Sequence, residues 1–305
     1  MAKSRVYRLK RGETPTQGIR RIASGRAEEA VEELDRAAEG DDFAAAIHAA
    51  RKDLKKLRGV ARLVRSELGG DLFLAEDQRY REAARLLARN RDAEVKVEAL
   101  GALRERPGTA IPADLAAAWL LELERERDEL ARQAAGGEGR SRIAAARAAI
   151  EAGREGIAGW PLQSNSWALF EADLLLTYRR GRRAMKRARA DSGAENVHEW
   201  RKRAKHLWYQ LRILRDAWSP VLGETAEQAH LLTDLLGDHH DLALLAEDLA
   251  VRDLPGDRVA AERAIERRQR ELLDTAFEIG ARLFAEKPKA FGRRMGAYWK
   301  AWRGA

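Results

Sequence analysis

Apolar residues recur at every third or fourth position through much of the chain, which is the period of an amphipathic helix. The clearest series consists of Phe43, Ala46, Ile47, Ala50, Leu54, Leu57, Ala61, Val64 and Leu68. Alternation of period two, the mark of a half-buried strand, is scarce. Prolines at 15, 107, 112, 161, 220, 255 and 288 fall between the periodic segments, where proline begins or ends helices. The pattern therefore predicts an all-α protein.

The limits of the predicted helices follow from these series and from the prolines and glycines between them. The predicted helices are 20–38, 41–67, 74–104 with a break near Asn90, 113–134, 140–157, 163–190, 194–217, 221–236, 240–252, 257–286 and 289–302. No connection is long or polar enough to act as a disordered tether. A chain of 305 residues is long enough for one large core or two lobes.

One basic sequence pattern occurs twice. "HAARKDLKKL" begins at His48 and "HEWRKRAKHL" begins at His198. Aligned at an offset of 150, segments 48–65 and 198–215 share His48/His198, Arg51/Arg201, Lys52/Lys202, Lys55/Lys205, Leu57/Leu207, Arg62/Arg212 and Arg65/Arg215. A second match, at an offset of 149, pairs "LLARNRD" (86–92) with "LLGDHHD" (235–241). We therefore predict a single domain, 1–305, built from duplicated halves 16–135 and 162–302.

The repeated polar residues share one face of each helix. At 100° per residue, Arg51, Lys52, Lys55 and Arg62 lie within roughly 60° of His48. The second copy presents His198, Arg201, Lys202, Lys205 and Arg212, and adds Tyr209 at the position of Gly59. The opposite face is apolar in both copies; in the second copy it carries Trp200, Ala204, Leu207, Leu211 and Leu214.

The charge of this face favours anion binding over simple solvation. A solvated helix face normally mixes signs, so that pairs four residues apart stabilise it. Segment 48–65 instead carries seven basic residues and one acid, Asp53. From His48 to Arg62 the row is about 21 Å long at 1.5 Å per residue, a length that suits an extended polyanion. Arg supplies bidentate contacts to phosphate and Lys supplies point charges.

A third basic segment, "YRRGRRAMKRAR" (178–189), precedes the second copy. Arg179, Arg182, Arg183 and Lys186 share an arc of about 100° on the predicted helix. Tyr178 lies at the boundary of the apolar side. Its hydroxyl is predicted either to contact phosphate or to lie at the edge of the core.

Composition narrows the class of partner and the compartment. The chain carries 57 Lys and Arg against 49 acids, a net charge of +8, which favours polyanions or membrane surfaces. Cysteine is absent, which excludes disulfides and thiolate nucleophiles. There is no apolar leader and no apolar run long enough to span a bilayer. We therefore expect a cytoplasmic protein without a membrane partner.

The catalytic alternatives centre on "DHHD" (238–241). His239, His240 and Asp241 are candidate metal ligands of a metal-dependent phosphohydrolase. Only the Asp is kept in the first half, as Asp92, so the two Asp residues are predicted to be structural, capping a helix or holding an Arg.

The other sequence signals favour binding without catalysis. Neighbouring cations should disfavour protonation of His48 and His198, and no nucleotide-binding or HExxH motif occurs. The sequence predicts a binding protein with no cofactor and no catalytic residue. A nucleic-acid binder remains the other alternative.

The ordered motifs resemble the CHAD domain, an α-helical family named for its histidines. The resemblance rests on "HAARKDLKKL", "HEWRKRAKHL", the Leu-Leu-Asp segment after each, and "YRRGRRAMKRA" before the second copy. It implies two helical bundles related by a pseudo-two-fold axis around a basic central channel, with inorganic polyphosphate as ligand and polyphosphate granules as a place of association. The implied ligand-binding residues are His48, Arg51, Lys52, Lys55, Arg62, Tyr178, Arg179, Arg182, Arg183, Lys186, His198, Arg201, Lys202, Lys205, Tyr209 and Arg212.

Overall fold

The computed structural model describes residues 5–40, 43–88, 91–107 and 111–304, and throughout these ranges the regular structure is helical, without strands. The helices are α1 Pro15–Glu39, α2 Phe43–Leu63, α3 Arg65–Leu68, α4 Gly70–Leu86, α5 Arg91–Glu105, α6 Ala113–Ala135, α7 Gly137–Gly156, α8 Ala168–Ala190, α9 Ala194–Leu214, α10 Ser219–Val251, α11 Arg258–Leu283 and α12 Pro288–Gly304. Short 3₁₀ turns follow α7 and α9. The all-α prediction is confirmed.

Local sequence signals explain the ends of α1. Thr14 accepts a hydrogen bond from the backbone N–H of Gln17, and the Gln17 side chain accepts one from the Thr14 N–H. This reciprocal pair satisfies two N–H groups that no helical carbonyl can reach. Pro15 occupies the first turn, where its missing N–H costs nothing. Gly40 ends the helix with φ 88°, a left-handed conformation that glycine adopts without strain.

The predicted division of 221–236 from 240–252 is wrong, because α10 runs unbroken from Ser219 to Val251. Gly237 lies inside the helix, beside Arg201 of α9. A Cβ added there would lie 3.4 Å from Nε and Nη2 of Arg201. The predicted helix 41–67 divides at Val64 into α2 and α3. The predicted break near Asn90 lies outside the described residues.

The predicted apolar faces form the main core. Ala50, Leu54 and Leu57 of α2 are fully buried, as are Trp200, Ala204 and Leu207 of α9. Around them pack α1, α4, α7, α8, α12 and the first half of α10. A second core joins α5 and α6 to the end of α10 and to α11, around Trp119 and Leu245. Residues from the two predicted halves therefore share this second core.

A buried ionic cluster holds the second core together. Asp248 of α10 accepts hydrogen bonds from Lys96 Nζ at 2.7 Å, Trp119 Nε1 at 2.8 Å and Arg252 Nη2 at 3.0 Å. Burial opposes ionisation, but these donors together hold the pKa of Asp248 below its usual value. Its contribution to stability is thus present at neutral pH and is lost as pH falls through that lowered pKa.

Replacing Asp248 with Asn should reduce the free energy of unfolding by about 3 kcal/mol, since it removes the nearest carboxylate from half-buried Lys96 and leaves only the longer pair with Glu126 at 3.6 Å. Chemical denaturation at pH 7 measures the change. Asp128→Asn, at a solvent-exposed pair with Arg127, is the control and should change stability by less than about 0.5 kcal/mol. Equal effects of the two substitutions would show that the cluster contributes no special stability.

Candidate anion-binding site

Helices α2 and α9 bring basic side chains from both predicted copies to one cavity. We call it the lysine cavity; its volume is about 210 Å³. It is lined by His48, Arg51, Lys52 and Lys55 of α2, by Lys205, Trp208 and Tyr209 of α9, and by His230 and Asp234 of α10. Six of the residues predicted from sequence thus line one cavity, although 150 or more residues separate the two groups.

Lys205 is a strongly perturbed cation of this cavity. Burial lowers its pKa to about 8, and the nearby positive charges of Arg201 and Lys52 contribute to the shift. Asp234 and Asp241 act in the opposite direction, but burial and the cations outweigh them. Within the described part of the chain, no carboxylate lies at ion-pair distance from Lys205. An anion entering the cavity would supply the missing counter-charge.

Two histidines, His198 of α9 and His240 of α10, contact each other. The rings of His198 and His240 are 4.7 Å apart, and His198 Nδ1 is buried without a partner among the described residues. Burial, the proximity of His240 and the charges of Lys202 and Arg201 lower the pKa of His198. The expectation that neighbouring cations disfavour protonation of His198 is therefore confirmed. As a neutral ring, His198 can donate one hydrogen bond to an anion.

Tyr209 explains why the second copy departs from the first. A Cβ added at Gly59 of α2 would lie 3.0 Å from the Cβ of Tyr209 on α9. The two helices therefore touch at this point, and a side chain at position 59 would crowd the tyrosine. The Tyr209 ring stacks on Trp208 at 4.7 Å and meets the edge of Tyr7 at 6.3 Å. The ring is buried, and burial raises its pKa.

Acidic residues of α4 and of α2 itself pair with basic residues of α2. Asp77 of α4 accepts hydrogen bonds from Nε and Nη2 of Arg58, each at 3.0 Å, and from Nη2 of Arg62 at 2.8 Å. Asp53 is buried against Arg26 of α1 at 2.9 Å and Lys56 at 2.7 Å. The sequence count of one acid per seven basic residues missed Asp77, because tertiary packing alone brings α4 beside α2.

A second group of cations surrounds Arg62. We call it the arginine cleft; its lining residues are Arg62, Arg65, Asp173, Leu176, Thr177, Arg180, Arg203 and His206. Burial lowers the pKa of Arg62 to about 10, and neighbouring guanidinium groups add to the effect of burial. The pKa of His206 is lowered well below its usual value for the same two reasons. Sequence reasoning identified only Arg62 of this group.

The prediction for α8 needs correction at two places. Tyr178 is fully buried and stacks on Phe291 at 4.0 Å, and its hydroxyl is donated to the Glu286 carbonyl at 3.2 Å. With its only hydroxyl proton used and its ring enclosed, Tyr178 belongs to the core edge and not to an anion site. Arg180 is the basic residue of α8 that lines the arginine cleft, and the predicted basic arc omitted it.

The other predicted α8 residues lie on the outer side of the helix. Arg179, Arg183 and Lys186 are exposed, and Arg182 is half-buried. On α9, Lys202 is exposed and pairs with Glu199 at 2.7 Å, whereas Arg212 lies 5.3 Å from the centres of the Tyr7 and Trp208 rings. Arg212 therefore serves packing as well as charge.

The "DHHD" segment lies on the continuous helix α10, where its side chains diverge. His239 is buried, and burial lowers its pKa to about 4, whereas His240 faces His198. Asp241 lies mid-helix, so its predicted role as a helix cap is wrong. Across the ranges that the structure describes, no three His, Asp or Glu side chains group as metal ligands.

The model of the CHAD domain family matches residues 22–250, which include both basic helices and most of α10. The chain belongs to the CHAD domain family. The match confirms the resemblance carried by the two His-Arg-Lys motifs. No curated protein matches the sequence of this CHAD domain. None of its described helices is long and apolar enough to cross a bilayer.

Proposed function

We propose that this CHAD domain binds inorganic polyphosphate without hydrolysing it, in the cytoplasm and on polyphosphate granules. The observation that carries the proposal is the lysine cavity, where Lys52 and Lys205 meet across two helices with no carboxylate at ion-pair distance among the described residues. Crowded, partly buried cations cost stability unless an anion compensates them. Family membership supports phosphate-rich anions as the compensating ligand.

The aromatic residues of the cavity favour polyphosphate over nucleic acid. Trp208 is only 7% exposed, and its ring packs against Tyr209 at 4.7 Å, His230 at 4.2 Å and Arg212 at 5.3 Å. Single-stranded nucleic acids are usually bound by bases that stack on accessible aromatic faces. Trp208 offers no such face. Phosphate groups without bases suit a cavity whose accessible polar groups are mainly cationic.

We further propose that the site arose by internal duplication. At the offset of 150, Lys56 corresponds to His206 and Arg62 to Arg212. Arg62 lies close enough to His206 to help lower its pKa, and Arg212 does the same to Lys56. The equivalent residues Gly59 and Tyr209 contact each other, as residues beside a two-fold axis would. These reciprocal contacts support a pseudo-two-fold relation between α2 and α9.

A competition titration tests the proposed ligand. The protein is bound to fluorescent duplex DNA or to RNA at physiological salt, and long-chain polyphosphate is added at equal phosphate concentration. We expect polyphosphate to displace either nucleic acid, while the same phosphate concentration as orthophosphate does not. Failure of polyphosphate to displace them would reject the proposal. Phosphate release from polyphosphate, with and without added divalent metal, tests the phosphohydrolase alternative, and sustained turnover would establish that alternative.

A further inference from the structure

The amine of Lys205 is only partly buried, and a small molecule can reach it. Lys205 lines the lysine cavity, whose volume is about 210 Å³, whereas one water needs only roughly 10–15 Å³ on the same measure. Burial and nearby cations lower the pKa of Lys205 to about 8. A lysine in such a setting is a nucleophile as well as a cation, because more of its amine is unprotonated near neutral pH.

Burial alone does not make a lysine available in this way, as Lys56 of α2 shows. Only 13% of the Lys56 side chain is exposed, and burial lowers its pKa. Its Nζ, however, donates a hydrogen bond to Asp53 at 2.7 Å, and this ion pair favours the protonated amine. Lys205 has no carboxylate at ion-pair distance among the described residues. Its lone pair is therefore available once the proton has left.

The groups around this amine suit a reagent that carries a phosphate. Arg201 and Lys52 are close enough to help lower the pKa of Lys205. The Asp234 carboxylate of the cavity lies 2.9 Å from Nδ1 of His230. The other charged or titratable residues of the lining are His48, Arg51 and Lys55. These cations favour a phosphate next to the amine, and they stabilise negative charge that the phosphate gains during a reaction.

We propose that Lys205 is a modification site for acyl phosphates, the mixed anhydrides of a carboxylic acid and phosphoric acid. The unprotonated Nζ attacks the acyl carbon, the bond from that carbon to the phosphate oxygen breaks, and its electron pair leaves with the phosphate. The nitrogen loses one proton to solvent, so the products are an amide on Lys205 and inorganic phosphate. Cations that hold the phosphate thereby place the acyl carbon next to the amine.

Acylation removes the positive charge of Lys205 and fills part of the lysine cavity. The consequence for polyphosphate rests on the proposed function, whereas the modification itself does not. Acylated protein should bind long-chain polyphosphate roughly tenfold more weakly, because one charged contact is lost. Bound polyphosphate should in turn protect Lys205, since both reagents use the same cations. The polyphosphate affinity of the protein thus falls as acyl phosphate accumulates.

Acetylation rates of individual lysines test the modification. The full chain is incubated with acetyl phosphate at pH 7, and peptide mass spectrometry follows each lysine over time. We expect Lys205 to react roughly tenfold faster than exposed Lys289 of α12, because more of its amine is unprotonated. Lys56 is the internal control for burial and should react more slowly than Lys289, since Asp53 holds its amine. A Lys205 that reacts no faster than Lys289 would overturn the proposal.

A substitution beside the amine tests the role of the phosphate. Lys52→Gln should slow acetylation of Lys205 by acetyl phosphate roughly fivefold more than acetylation by N-acetoxysuccinimide, an acyl donor without phosphate. Two donors are compared because loss of the Lys52 charge also raises the pKa of Lys205, which slows both reactions. Lys289→Gln is the control and should change neither rate. Equal slowing with both donors would overturn the assignment to acyl phosphates.

Addition of long-chain polyphosphate separates this inference from the proposed function. Protection of Lys205, together with weaker polyphosphate binding by the acetylated protein, supports both. Rapid acetylation of Lys205 in a protein that does not bind polyphosphate would reject the proposed function and support the modification site. Slow acetylation of Lys205 in a protein that binds polyphosphate would reject the modification site alone.

Discussion

Replacing Lys205 with Met is expected to stabilise the ligand-free protein and to weaken polyphosphate binding. The folded protein holds this ammonium among Arg201 and Lys52 with a pKa of about 8, against 10.5 when it is free in solution. Removing a charge held at that cost should raise the free energy of unfolding by about 2 kcal/mol. Losing a partly buried phosphate contact should cost roughly ten- to a hundredfold in affinity.

Higher stability together with weaker polyphosphate binding would identify Lys205 as a cation that serves binding at the expense of stability. Thermal unfolding measures stability, and titration with long-chain polyphosphate at several salt concentrations measures affinity. The salt dependence should also flatten, because fewer counterions are released on binding. Lys289→Met, at an exposed lysine early in α12, is the control and should change both quantities little. A less stable Lys205→Met protein would show that the cavity is not strained by its charges, and unchanged affinity would place the ligand elsewhere.

Polyphosphate affinity is expected to fall as pH rises through 8. The bound polyanion favours protonated Lys205, so its pKa in the complex lies above the value of about 8 in the free protein. Below pH 8 the group is protonated in both states and affinity is constant. From pH 8 upward the free protein must take up a proton to bind, and affinity at pH 9 should be about tenfold lower than at pH 7.

The folding stability of the ligand-free protein should rise with pH in the same range, because of the same residue, Lys205. The folded-state pKa of Lys205 lies below the unfolded value, so the unfolded state binds more protons between pH 8 and 10. The cost of burying this charge is therefore fully present below pH 8 and is relieved as pH rises.

Isothermal titration calorimetry of polyphosphate binding, in buffers with different ionisation enthalpies, measures directly the proton uptake that accompanies binding. Lys205→Arg, which stays protonated, should abolish that uptake, and persistent uptake in this variant would assign it to another group.

The fold could be predicted from sequence wherever a single helix carries the information. Leu54 and Leu57 of α2 and Trp200 and Leu207 of α9 are buried where the period of 3.6 residues places them. The prediction failed at residues 237–239, where two helices were expected and α10 is continuous. Gly237 there lies beside Arg201 of α9, and a contact between two helices cannot be seen in the sequence of one of them.

The candidate site could also be predicted from sequence only where a single helix carries its residues. Repetition of His, Arg and Lys at equal spacing found the cations of α2 and α9, since helical spacing alone puts them on one face. It missed Arg180, which joins the arginine cleft from α8, and Asp77, which neutralises Arg62 from α4. The resemblance to the CHAD family also implied Tyr178 as a ligand contact, although the Glu286 carbonyl already accepts its hydroxyl proton.

The sequence by itself determined the helices, their buried faces, the repeated cations and membership of the CHAD family, because each depends on residues close together in the chain. The tertiary structure alone decided which cations meet and which are neutralised. Ion pairing and burial depend on distances across helices, and those distances are set by the packing of α2 against α9 at Gly59 and Tyr209. That contact places Lys205 beside Lys52 with no carboxylate at ion-pair distance from it among the described residues, and this arrangement is what supports the proposed anion site.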